Sequence, residues 1–126
     1  MKTTEFAKAK KHEFHAEPCH GGKGAWYFKD YINSFNKDNA IVQFIHDDIL
    51  PAGSAFGIHG HGTTENQWFE EWYICLSGQG TMTLDGVQHP FGEGDVHVCR
   101  GGGPHGVENT GDTDMRLIVF CAKAKK

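Results

Sequence analysis

With 126 residues, 38% of them apolar, the chain is long enough to bury one core and too short for two. No run approaches the roughly eighteen uninterrupted apolar residues of a membrane span, so no membrane partner is expected. The net charge is −4 and the lysines gather at the two ends without a basic, aromatic-laced stripe, which also argues against nucleic acid.

Residues 1–15 are polar and lysine-rich and are expected to be a flexible tail. No apolar segment follows the first lysines, so no secretory signal is expected and the default location is cytoplasmic. Residues 16–122 are expected to form the folded domain, and 123–126 a solvated end. Near its start, Cys19, His20 and the glycine loop to Gly24 lack the strand-then-helix setting of a phosphate cradle. Strand-like runs then recur at 25–28, 40–45, 72–76, 80–84, 95–99 and 115–121. Turn signals separate them at 51–53, 77–78, 85–86, 92–94, 101–104 and 109–111. Leu84-Asp85-Gly86-Val87 is the strongest hairpin signal, since a primed turn needs positive φ. Only residues 30–36 have the pattern of a helical turn. Seventeen glycines against four prolines suit the same conclusion, an all-β fold with many tight turns. Cys19, Cys75, Cys99 and Cys121 form no close pair, and the last three lie in apolar runs, so they are expected to be reduced thiols serving as small hydrophobes.

Nine histidines is a high number for this length. His12, His15, His46 and His89 show no partner pattern and are expected at the surface. His59 and His61 are different. Two residues apart in an extended strand, they face one side and can share an ion. Glu71 opens a later apolar strand, and His105 follows a glycine-rich turn. Three imidazoles and a carboxylate suit a single divalent transition metal: Mn, Fe, Co, Ni, Cu or Zn. Buried without a partner, these groups would cost several kcal/mol in all.

In this arrangement the chain resembles the cupins. Their first motif, G-x5-H-x-H-x3,4-E-x6-G, is met by Gly53, His59, His61, Glu71 and Gly78, and the second, G-x5-P-x-G-x2-H-x3-N, by Gly94, Gly102, His105 and Asn109. The resemblance spans residues 53–109. It implies an antiparallel jelly-roll barrel of about six to eight strands. It also implies His59, His61, Glu71 and His105 as metal ligands, Asn109 as a structural residue, and a homodimer formed by exchange of N-terminal strands.

The chain departs from the pattern in two places. Nine residues separate His61 from Glu71, so Glu65 stands at the usual spacing and competes with Glu71 for the ligand role. Glu71 is preferred because it keeps the six-residue interval to Gly78 and begins a strand. Arg100 replaces the motif's proline, where its guanidinium either grips an anion or projects to solvent. His97 is either a partner and proton carrier for the site or a satisfied core histidine. Trp68, Phe69 and Trp72 are placed to roof the barrel mouth, with Trp72 also suited to core or interface. The expected function is metal-dependent catalysis (isomerase, lyase or dioxygenase) on a small, oxygen-rich anionic substrate, with Arg100 and His97 as catalytic candidates. The alternative is a module that binds a sugar or small acid without turnover.

Overall fold

A computed structural model describes residues 3–60, 62–63 and 67–125. Among these the chain forms ten strands: β1 (Glu13–His15), β2 (Trp26–Asp30), β3 (Val42–Leu50), β4 (Ala55–His59), β5 (Trp68–Ser77), β6 (Gln79–Leu84), β7 (Val87–Gly92), β8 (Val96–Arg100), β9 (His105–Glu108) and β10 (Met115–Ala124). They pair antiparallel in two sheets, one in the order β1-β2-β3-β10-β5-β8 and one in the order β4-β9-β6-β7. This is the jelly-roll architecture expected, with more strands than the six to eight implied.

Period-two alternation explains how the sheets close on each other. Along β10, Met115, Leu117, Val119 and Cys121 are buried while Arg116 is exposed. Met115, Leu117 and Val119 meet Leu50, Phe56, Tyr73, Cys75, Met82, Phe91 and Val107 between the sheets. Full burial of a side chain of this size contributes about 1.5–3 kcal/mol. The expected hairpin is present: Leu84 pairs with Val87, and Asp85 and Gly86 take φ of 49° and 81°, as a type I′ turn requires. Asn109, 1% exposed, ties loops together by donating from Nδ2 to the Leu50 and Thr113 carbonyls while accepting from Gly111 N–H. All four cysteines are free thiols, and burial pushes Cys19 and Cys121 up to about 11, so they are inert as nucleophiles.

Three boundaries differ from expectation. The sheet starts at Glu13, where β1 pairs with β2 inside the stretch read as a tail, and β10 runs on to Ala124. More consequentially, β3 does not stop at residue 45 but carries His46, Asp47 and Asp48 on to Leu50. Aspartate is a poor strand former. Here pairing with β2 on one side and β10 on the other overrides that preference.

Candidate metal centre

His59 on β4 and His105 on β9 are cross-strand partners in the small sheet, and Glu71 projects from β5 of the large one. The three residues therefore join the two sheets. One ligand atom from each lies within 4.8 Å of the others. Atoms about 2.1 Å from a common ion stand within about 4.2 Å of one another, so only a small contraction is needed. Glu71 is 4% and His105 1% exposed.

The His59 imidazole is held in the tautomer that ligation needs. His59 Nδ1–H donates to the Gly57 carbonyl at 2.9 Å, which leaves Nε2 as a lone pair. His105 has Nε2 3.0 Å from Glu71 Oε1 and Nδ1 3.1 Å from His97 Nε2. If His105 ligates through Nε2, its Nδ1–H donates to His97, and His97 must be neutral to accept. Burial, with His105 beside it, pushes His97 down to about 4, which meets that requirement. Burial also lowers His59, with the neighbouring His20 and His105 acting in the same direction against the Gly57 carbonyl.

Close backbone packing positions His59. A kink in the β4–β9 pairing between Phe56 and His59 resets the alternation, so Ile58 is exposed while Phe56 and His59 share the inner side. A 3₁₀ turn at Cys19–Gly21 then lies against β4. A Cβ on Gly57 would come within 2.0 Å of the His20 carbonyl oxygen, and one on Gly22 within 2.0 Å of the Ala55 oxygen, so only glycine allows this approach. His20 itself stands at φ 53° with its ring stacked 3.6 Å from that of His59. The glycine loop set aside as a phosphate cradle thus serves the histidine site.

A cavity of about 230 Å³ opens beside the triad, lined by His59 and Glu71 and walled by Trp26, Phe44, Phe56, Tyr73 and Val119. Cys19, His20, His46 and Asp48 complete it. A strand ending at residue 45 leaves His46 and Asp48 off the cavity wall, whereas β3 runs on to Leu50 and carries both there. The alternation Phe44, His46, Asp48, Leu50 is the signal that would have found them. Burial lowers His46, whose ring stacks 4.2 Å from Phe44. Burial raises Asp48 well above the carboxylate range, and the charges of Asp47, Glu71 and Asp30 add to the effect. His12 and His15 are not free surface residues either: His12 reaches Asp47, and His15 stacks on Trp26.

Arg100 does not face the site. Its register partner is Glu70, whose Oε2 accepts from Arg100 Nε at 3.0 Å on the outer side of the large sheet, with the arginine side chain 60% exposed. The expected grip on an anion is therefore corrected. Alternation decides it, because Cys99 next door takes the inward position opposite Glu71. Trp72 shares that outer side, stacked on Phe120, and does not roof the mouth, whereas Trp68 covers Gly101. The expected ligand His61 and the competing Glu65 lie outside the described residues.

The family description "Cupin domain" matches residues 48–121, across the two sheets and all three described ligand candidates. The chain belongs to the cupin domain family. Among relatives of this cupin, an oxalate-binding protein of Thermotoga maritima is 41% identical over 99 residues, covering 79% of this chain and 77% of the relative. An uncharacterized protein of Methanocaldococcus jannaschii is 32% identical over 78 residues, covering 62% and 58%. The crystal structure of a predicted oxalate decarboxylase from Thermotoga maritima superposes with a TM-score of 0.77 at 27% identity, covering 90% of this chain and 92% of that one.

Proposed function

We propose that this cupin binds one divalent transition-metal ion through His59, His61, Glu71 and His105 and uses it to hold a small oxygen-rich acid, of which oxalate is the first candidate. The observation that carries this reading is the triad of His59, Glu71 and His105, drawn from both sheets and set at the wall of a cavity of about 230 Å³. Manganese, iron, cobalt, nickel, copper and zinc all suit such donors. When bound, an ion of this kind supplies a Lewis acid for the acid's oxygens. Glu71 Oε1 and His105 Nε2 already stand 3.0 Å apart, and a neutral His97 beside Nδ1 would accept from it and leave Nε2 for the ion.

Two versions of this reading differ in turnover. In the enzyme version the acid undergoes lyase, isomerase or dioxygenase chemistry. In the binding version it is held unchanged, which the name of the Thermotoga relative favours. We further propose a cytoplasmic homodimer. The outer face of the large sheet supports pairing, since Trp72, Ile74, Ile118 and Phe120 adjoin the exposed Val96 and Leu76 there.

Protein purified without an affinity tag should carry about one metal ion per chain and bind oxalate in calorimetric titration. Chelation should abolish that binding and metal should restore it. Oxalate binding that survives chelation would overturn the proposal, and release of a product from bound acid would separate the enzyme version from the binding one.

A further inference from the structure

Asp48 is 3% exposed, lines the cavity, and has an Oδ1 with no hydrogen-bond partner among the described residues. Its place follows from the sheet register. On the inner face of the large sheet, Glu71, Cys121 and Phe44 form one row, Tyr73, Val119 and His46 the next, and Cys75, Leu117 and Asp48 the third. Asp48 is thus two rows and two strands away from the candidate ligand Glu71, across an aromatic-walled space. Leaving a buried carboxyl oxygen unsatisfied is unfavourable, and native interiors rarely do so without a ligand or function.

Resting on the proposed function, we infer that Asp48 is a specificity residue that hydrogen-bonds a hydroxyl at the far end of the ligand, so that the preferred ligand is a terminally hydroxylated short-chain oxo or hydroxy acid longer than oxalate. The cavity of about 230 Å³ offers more room than a two-carbon diacid held at one end fills. A hydroxyl suits Asp48 in either protonation state, since it donates to a carboxylate and accepts from a carboxylic acid. A second carboxylate on the ligand would meet Asp48 and the field of Glu71, with no lysine or arginine among the described residues of the cavity wall to offset it.

The test titrates the whole chain, loaded in parallel with Mn(II) and Zn(II), with oxalate, 2-oxobutanoate, 4-hydroxy-2-oxobutanoate, 5-hydroxy-2-oxopentanoate and 2-oxoglutarate. One terminal hydroxy acid should bind about three- to tenfold more tightly than 2-oxobutanoate. Asp48→Leu, which keeps the branching at Cγ and removes the hydrogen bond, should erase that preference while leaving metal content unchanged. The inference is overturned if oxalate binds but the hydroxyl gives no preference, if the preference survives in Asp48→Leu, or if 2-oxoglutarate binds best. Failure of every acid to bind the metal-loaded protein would overturn the proposed function itself, and this inference with it.

Discussion

The two faces of the large sheet handle buried charge in opposite ways, and the adjacent residues Asp47 and Asp48 show it most directly. Asp47, on the outer face, is fully buried and surrounded by donors: Arg116 Nε at 3.1 Å and Nη2 at 2.6 Å, and Tyr31 O–H at 2.9 Å, with His12 at 3.4 Å. Burial alone would raise its carboxyl, but the hydrogen bonds from Arg116 and Tyr31 outweigh it and hold Asp47 below the usual range. Asp48 is almost as deeply buried, turns inward, and is raised instead. The outer network ties β3 to β10 through Arg116 and to the end of β2 through Tyr31. On the inner face, polar groups converge on a cavity, and Asp48 Oδ1 has no hydrogen-bond partner among the described residues. The contrast separates a structural use of charge from a recognition use at a single peptide bond.

The comparison is broken most severely at the triad. His105→Ala, and separately His59→Ala, should reduce bound metal from about one ion per chain to nearly none, with the far-ultraviolet circular dichroism of a β protein retained. Elemental analysis of the purified variants checks this, and full occupancy in both would remove the site from these residues.

Smaller effects should appear at the aspartate pair, with opposite dependence on pH. A depressed carboxyl contributes stability above its unfolded value of about 3.9 and loses it as pH falls through the folded value. Asp47→Asn should therefore lower stability by about 1–3 kcal/mol at pH 7, and the difference from the wild type should shrink towards pH 3. A raised carboxyl contributes stability below about 3.9 and loses it as pH climbs towards its folded value. Asp48→Asn should thus gain on the wild type between pH 4 and pH 8. Thermal melts of chelated protein across that range decide it, and parallel trends for the two variants would contradict the assignment of faces.

The smallest effect is expected at Arg100. Its pair with Glu70 is exposed, so Arg100→Ala should cost less than about 1 kcal/mol and leave oxalate affinity and metal content unchanged. A loss of tenfold or more in oxalate affinity would return Arg100 to the site.

Local information was sufficient for much of the molecule. Glycine and asparagine turns, alternating apolar runs and the Asp85-Gly86 hairpin are encoded within a few residues, because backbone φ and side-chain alternation are local properties. The spacing of His59, Glu71, His105 and Asn109 likewise carried the family and the candidate ligands. What the sequence did not reveal depends on strands far apart in the chain. Whether Arg100 points in or out is set by its register opposite Glu70, and Trp72 lies outside for the same reason. His46, Asp47 and Asp48 look like a polar loop until β2 and β10 flank them. His20 reaches His59 only because Gly22 and Gly57 let two backbones touch. The sequence by itself determined the all-β class and the candidate metal ligands, since both rest on residue type and spacing along the chain. The tertiary structure alone decided which polar groups share the cavity, because a one-residue shift in register turns every side chain of a strand to the opposite face.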